Sequence, residues 1–510
     1  MSLLDRRGGG SASAPPPGHE EDQGAFRWPG ERRRSTPPSV PVVDSGPSAW
    51  ERWGQRIGIA FGLLLALWLY VRPAPAGLSQ DGEHALAVFV VCITLWVTNA
   101  LPYGVTGLLG VALLGLTNAI KPAEAYSSFG SSAIFFLTGV FLIAGALVET
   151  GLSKRMALLF LSRFEGSPYG FAFGMMLAGA FATIWMPNQA TTAMLFPIAM
   201  EVAVALRLRP KESNYAKVLF FSMAWGAMIG SNASFLGSSR AALALGMLQK
   251  NYGTGISFTE WVVASWPVVV LGLLMTPLIL RLAFKHEKVE FASARRVLER
   301  SVSELGPMQR PQYITLAILM ATVAAWVFVG GRKVDLAVIA LLGATALFVF
   351  GVLKWEKAER YVYWNIILMY GGAIALGSAL ERTGATKFIL TQAMNGVLPS
   401  PYVTIAGTAI IALVLSEFMS NAAALAVILP LAFTLTNQVG ASPVAIVLAT
   451  SFGSGLDFIF PISTAPNTII FASGYLRTSD FVRAGLMMTL ASILILLLVI
   501  KFYWPLIGLI

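Results

Sequence analysis

The sequence predicts an all-α, polytopic membrane protein, and three observations carry that expectation. The chain of 510 residues is 56% hydrophobic and only 12% charged, with a mean hydropathy of +0.70. A soluble protein of this length carries about twice that charged fraction. Many runs of 18 or more residues lack charge, which is the length needed to cross a hydrocarbon layer of ~30 Å. These runs are solidly apolar, without the alternation that marks the strands of an outer-membrane barrel.

The elements follow in chain order. Residues 1–50 are rich in Gly, Pro, Ser and Arg and read as a disordered cytoplasmic tail, with Arg32, Arg33 and Arg34 as solvated orienting charge. The apolar segment 56–73 follows too long a leader for a cleavable signal peptide and reads as the first membrane helix. Further spans are expected at 84–101, 103–120, 132–150, 215–235, 262–283, 312–330, 335–352, 363–381 and 483–505. A basic cytoplasmic linker at 284–311 separates two halves, 51–283 and 312–510.

Two regions are anomalous. Nothing is charged from Ser167 to Met200, nor from Phe418 to Leu456. At ~1.5 Å rise per residue, each run as one helix would measure about 50 Å or more, too long for one crossing. Each is either two crossings with a tight turn or a re-entrant hairpin ending at mid-membrane. The polar tips at 187–189 and 420–422 fall near the middle of the runs. That position favours hairpins, because a full crossing would put its turn at the bilayer surface.

Counted this way from a cytoplasmic N-terminus, most cations lie inside. These include Lys154, Arg155, Arg207, Arg209, Lys211, the loop around Lys285–Arg310, Lys354, Lys357, Arg360, Arg477 and Arg483. Only scattered cations such as Arg72, Lys121, Lys250, Arg332, Lys333, Arg382 and Lys387 face outside. The asymmetry supports eleven spans plus two hairpins, with the C-terminus outside. The same rule accounts for the +10 net charge, so nucleic acid is not an expected partner.

The chain also repeats itself. TIWMPNQATTAMLFPI at 183–198 and SEFMSNAAALAVILPL at 416–431 share Met186/Met419, Asn188/Asn421, Ala190/Ala423, Ala193/Ala426 and Pro197/Pro430 at an offset of 233. Leu147-x-x-Thr150-Gly151 recurs as Leu380-x-x-Thr383-Gly384 at the same offset. A third pair, GSSRAA at 237–242 and STAPNT at 463–468, lies 226 apart. By span count the copies start from opposite sides of the membrane, which makes them inverted repeats, an architecture typical of secondary transporters.

Such transporters bind substrate near the midplane, where broken helices offer free backbone groups. Asn188 and Asn421 at the hairpin tips can each offer a carbonyl to a cation and an NH2 to an anion. The broken helices are expected at 215–251 and 444–474, where GSNASFLGSS packs Gly and Ser mid-span and FPISTAPNT contains Pro461 and Pro466. An intramembrane enzyme would need a nucleophile with an acid or base, but His19, His84 and His286 all lie outside the apolar cores and no carboxylates are paired there. Cys92 is alone, so no intramolecular disulfide forms. A channel would not need two matched broken helices around an amide pair.

These residues resemble the divalent anion/sodium symporters, which transport dicarboxylates, citrate or sulfate and carry Ser-Asn-Thr at two hairpin tips and a Thr-Pro-Pro-Asn-like loop in two broken helices. Here the tips read Pro187-Asn188-Gln189 and Ser420-Asn421-Ala422, and the loops read Ser238-Ser239-Arg240-Ala241 and Thr464-Ala465-Pro466-Asn467. The resemblance covers about 56–505. It implies a plasma-membrane homodimer in which a transport half slides, elevator-like, against a scaffold half. It implies a first sodium at Thr183, Pro187, Asn188 and Gly237, and a second at Ser416, Met419 (through its carbonyl), Asn421 and Ser463. A small anionic substrate would meet Asn188, Gln189, Ser238, Arg240, Asn421, Ala422, Thr464 and Ala465.

The chain departs from the family pattern at the first site, where Pro187 lacks the usual hydroxyl and both loop prolines are absent. Arg240 is the sharpest departure, since a mid-membrane guanidinium must be paired or hydrated. Three roles are open to it: gripping an anion bidentately, replacing the first sodium as a tethered cation, or pairing with Asp457 or Glu417. Asp457 stands where the family has a small apolar residue, and it can balance Arg240, bind a cation or carry a proton. The function expected is sodium-coupled symport of a divalent anion. Sodium-independent exchange or proton coupling, with Arg240 and Asp457 in place of an ion, is the alternative.

Overall fold

A computed structural model of the chain describes residues 49–98, 100–330, 334–394 and 400–510. The tail expected over residues 1–50 lies outside the described residues, apart from its last two positions. Among the described residues, twenty-two α-helices follow one another. The first six are α1 (Ala49–Val71), α2 (Gln80–Thr98), α3 (Tyr103–Leu116), α4 (Pro122–Ser127), α5 (Ser132–Glu149) and α6 (Leu152–Leu161). Next come α7 (Pro168–Ala182), α8 (Asn188–Ala205), α9 (Asn214–Gly230), α10 (Ser239–Tyr252), α11 (Phe258–Ala283) and α12 (Ala292–Ser303). The second half opens with α13 (Arg310–Phe328), α14 (Leu336–Val349), α15 (Trp355–Ala358), α16 (Trp364–Arg382) and α17 (Ala385–Met394). It ends with α18 (Pro401–Ser416), α19 (Asn421–Val439), α20 (Pro443–Gly453), α21 (Ala465–Phe471) and α22 (Thr478–Leu498).

Among the described residues, six helices are long and apolar enough to cross a membrane, and the bent pair Trp355–Tyr361 plus Trp364–Arg382 makes up to seven. Other apolar helices, α3, α7, α14, α18 and α20 among them, are shorter, at 10–17 residues. Shortness is concentrated where the sequence places polar tips and Gly- or Pro-rich breaks. The anomalous runs resolve into α7 and α8 on either side of residues 183–187, and α18 and α19 on either side of 417–420. The interrupted segments resolve into α9 and α10 around 231–238, and α20 and α21 around 454–464.

The helix starts are written in capping residues. Ser167 accepts the Gly170 N–H at 3.0 Å and Ser400 accepts the Val403 N–H at 3.3 Å, each with proline at the next position. Ser167-Pro168-Tyr169 and Ser400-Pro401-Tyr402 are thus a further repeat at the 233-residue offset, one that a search for polar tips passes over. Ser213 and Ser442 cap α9 and α20 in the same manner, accepting from Ala216 and Ala445. Gly151 and Gly384, the last residues of the Leu-x-x-Thr-Gly pair, both take left-handed φ, +70° and +73°, where α5 and α16 end.

Packing pairs the two halves reciprocally. α3 packs on α16 and α5 on α14; α8 packs on α21 and α10 on α19. Hydrogen bonds follow the same exchange: Ser79 donates to the Thr383 carbonyl at 3.3 Å, and Gln312 donates to the Thr150 carbonyl at 2.9 Å. Within each half, α7 packs on α9 and α18 on α20. Both contacts are close enough that a Cβ on Gly226 would fall on the Met176 backbone, and one on Gly453 on the Ala409 backbone.

The linker at 284–311 contains α12, a helix where the sequence predicts only a basic connection. Its Ala294 and Leu298 are buried, and α12 packs on α8. Arg155 anchors the chain that follows, donating to the carbonyls of Leu305, Gly306 and Pro307 and to Gln312 Oε1.

Candidate anion cavity

The two hairpin tips and the two helix breaks meet around one cavity of about 460 Å³. All eight residues expected to contact substrate lie on its wall: Asn188, Gln189, Ser238, Arg240, Asn421, Ala422, Thr464 and Ala465. Of the expected sodium ligands, Asn188, Asn421 and Ser463 line it, whereas Thr183, Pro187, Gly237, Ser416 and Met419 do not. The opposite wall comes from α3 and α16, through Tyr103, Tyr363, Trp364, Asn365, Ile366 and Met369. None of these six is among the residues expected from the sequence. Asn365, a lone amide at the start of an apolar span, is the one visible signal of that wall, and its Oδ1 accepts the Gly104 N–H at 2.7 Å.

On the side of the tips and breaks, three helices of 14 residues or more begin at this cavity: α8 at Asn188, α10 at Ser239 and α19 at Asn421. None has a side-chain cap, in contrast to the serine-capped starts of α7, α9, α11, α18 and α20. The first turns of a helix present backbone N–H groups without intrahelical partners, and the macrodipole places positive potential there. Several such ends aimed at one space make a site for negative charge. Thr464 completes the wall and accepts the Asn467 N–H at 3.3 Å.

The two hairpins are tied to their breaks differently. In the first half the links end on main-chain carbonyls: the Asn188 N–H donates to the Gly237 carbonyl at 3.1 Å, and the Ser234 hydroxyl donates to the Ile184 carbonyl at 2.8 Å. Gly237 is obligatory there, because a Cβ would meet the Ser231 main chain at 2.8 Å. Thr183 is fully buried and donates to the carbonyls of Gly179 and Ala180. In the second half a pair of carboxylates does the tying. Glu417 accepts the N–H groups of Phe458 and Ile459 and the Thr489 hydroxyl at 3.0–3.2 Å, and Asp457 Oδ1 accepts the Asn421 amide at 3.1 Å. Ser463 and Asn467 donate to the Asp457 carbonyl, and Asp457 Oδ2, fully buried, has no hydrogen-bond partner among the described residues. Ser416 donates to the Leu413 carbonyl at 2.8 Å, leaving its lone pairs free.

Arg240 is 3% exposed. Its Nε donates to the Ser451 carbonyl at 2.9 Å, Nη1 to Ser238 Oγ at 2.6 Å, and Nη2 to Asn232 Oδ1 at 2.7 Å and Ser231 Oγ at 3.4 Å. The ion pair with Asp457 or Glu417 considered from the sequence does not form: among the described residues no carboxylate lies within 4 Å of the guanidinium. Both carboxylates are held by their own hydrogen bonds, and neither lines the cavity.

The chain has relatives over nearly its whole length. The sequence profile of the sodium:sulfate symporter transmembrane region matches residues 53–510. A sodium-dependent dicarboxylate transporter of Staphylococcus saprophyticus is 26% identical over 478 residues, covering 89% of this chain and 92% of that one. Its counterpart from Staphylococcus aureus is 27% identical over 481 residues with the same coverage. The fold is similar to that of the YdaH transporter of Alcanivorax borkumensis, with a TM-score of 0.50 at 16% identity over 90% of this chain and 98% of that one.

Proposed function

The chain belongs to the sodium:sulfate symporter family, a family of membrane transporters rather than enzymes, and from that premise we propose that it is a sodium-coupled symporter for a dicarboxylate or similar divalent anion. One observation carries the anion reading: three uncapped helix N-termini and the Arg240 guanidinium surround a cavity whose wall holds no carboxylate. Positive potential from fixed dipoles and one buried charge favours an anion there without a large reorganisation on binding. The similarity to sodium-dependent dicarboxylate transporters supports both the cation and the substrate class.

In this reading Asn188, Gln189, Ser238, Asn421, Ala422, Thr464 and Ala465 meet the anion, and Arg240 contributes its charge. A sodium uses Ser416, the Met419 carbonyl, Asn421 and Ser463, and the positions of the family's first sodium, which Arg240 can replace, are Thr183, Asn188 and Gly237. All of these are hard oxygen donors or main-chain positions suited to an alkali cation. The protein is a multi-pass protein of the plasma membrane, with eleven spans and two re-entrant hairpins, its N-terminus cytoplasmic and its C-terminus outside. The reciprocal packing and the exchanged Ser79 and Gln312 hydrogen bonds support inverted repeats, the first within 51–283 after the first helix and the second over 312–510. A homodimer and an elevator movement complete the proposal, on the strength of the family resemblance.

The test is uptake by proteoliposomes containing the full chain, measured with labelled succinate and labelled sulfate, with and without an inward sodium gradient. Saturable uptake of one of these anions that rises with the sodium gradient is expected. Saturable uptake that ignores sodium would sink the symport reading.

A further inference from the structure

Arg240 is open to three roles from the sequence, and its hydrogen bonds separate them. Four of its five N–H groups have an acceptor inside the protein when the Ser231 contact is counted, and its fork is spent on Ser238 and Asn232. That leaves no free pair of N–H groups for a bidentate grip on a carboxylate or sulfate. No carboxylate within 4 Å neutralises it among the described residues. What remains is a buried positive charge hydrogen-bonded only to neutral oxygens, one main-chain carbonyl, two serine hydroxyls and one amide carbonyl, with Asp457 acting on it through space from beyond 4 Å.

This is the kind of donor set that holds an alkali cation, and it sits where such cations bind in broken-helix transporters. The C-terminal ends of half-helices carry free carbonyls and the negative pole of the dipole. Ser451 lies in the last turn of α20, and Arg240 Nε donates directly to its carbonyl. Ser231 caps the end of α9, and Ser231 and Asn232 both donate to the Met228 carbonyl, so they relay the guanidinium to that end. The space is shaped for this group: a Cβ on Gly455 would land on the guanidinium, 2.8 Å from Nε.

We propose that the Arg240 guanidinium is a built-in cation that takes the place of one co-transported cation between the ends of α9 and α20. The transport cycle then needs one fewer cation-binding event, because the charge that stabilises the paired breaks is covalently attached. This inference rests on the symport reading above. It also gives the first half of the site, where Pro187 and Arg240 depart from the family pattern, a physical reason for its departure.

Two variants remove the charge in different ways. Arg240→Gln deletes it and keeps a polar side chain, and Arg240→Ala deletes it and opens the space. The deciding readout is the thermal unfolding of the purified full chain, without any anion, titrated with sodium chloride against choline chloride. Both variants should gain sodium-dependent stabilisation beyond that of the unaltered chain. In proteoliposomes the sodium Hill coefficient of labelled succinate uptake should rise by about one. If the sodium titration of a folded variant matches that of the unaltered chain, the built-in cation is wrong. If Arg240→Gln does not fold, Arg240→Ala decides. Absence of saturable succinate and sulfate uptake by the unaltered chain counts against the symport reading instead, and leaves the unfolding comparison to judge this one.

Discussion

Asn188 and Asn421 occupy matching positions but do not have matching surroundings. The Asn421 amide donates to Asp457, which orients it and leaves its carbonyl oxygen available. The Asn188 side chain has no partner among the described residues, although its main-chain N–H is tied to Gly237. Removing the two amides should therefore have unequal effects. Asn421→Ala strips the Asp457 carboxylate of its one side-chain donor, and a buried acceptor left bare costs about 1–3 kcal/mol. Asn188→Ala leaves no such orphan. Each substitution should reduce anion uptake about tenfold or more, the loss of one good hydrogen bond to a charged ligand. Only Asn421→Ala should also lower the melting temperature by several degrees. Equal melting temperatures would show that the Asn421–Asp457 bond does not hold the second hairpin.

At the scale of elements, the cavity depends on helices that stop at the tips and breaks, and these are held by close backbones. α7 lies against α9 where Gly226 meets Met176, and α18 lies against α20 where Gly453 meets Ala409. These pairs join each hairpin to its own broken helix, so their spacing sets where the tips stand relative to the breaks. Added methyl groups in tight packing cost about 1–3 kcal/mol, and small residues at helix interfaces are the usual means of close approach in membranes. Gly226→Ala and Gly453→Ala should each destabilise the protein in thermal unfolding, and both should reduce uptake although neither residue lines the cavity. Normal uptake in either variant would mean that the hairpin position tolerates a shift between the helices.

For the whole molecule, the reciprocal contacts between the two halves bear on how it sits in the membrane. If the two five-span repeats are inverted, the helix α1 that precedes them brings the crossings to an odd number, and the ends lie on opposite sides. The chain has a single cysteine, Cys92, and it is fully buried. One cysteine appended after Ile510 is thus a clean reporter. It should react with a membrane-impermeant maleimide added to intact cells, whereas one placed near Met1 should react only after permeabilisation. Labelling of both ends from outside would overturn the eleven-span topology.

Much of this was legible in the sequence because it is recorded locally or in spacing. Low charge and solid apolar runs imply a bilayer, the Pro-Asn-Gln and Ser-Asn-Ala interruptions imply hairpin tips, and the 233-residue offset brings Asn188 and Asn421 into one account. The residues expected to meet the substrate were all found on one cavity wall for that reason. The α3 and α16 side of the cavity leaves no periodic signal, and α12, although Ala294, Leu298 and Val302 are spaced along one helix face, carries nothing in its sequence to say that it docks on α8. Arg240 shows the same limit most sharply. Its type and depth were evident from position 240 alone, but its acceptors include Ser451, 211 residues away on the other repeat. Whether a buried guanidinium grips a ligand, pairs with a carboxylate or stands in for an ion depends on which oxygens surround it. Only the tertiary structure, by folding two distant helix ends together, decides that.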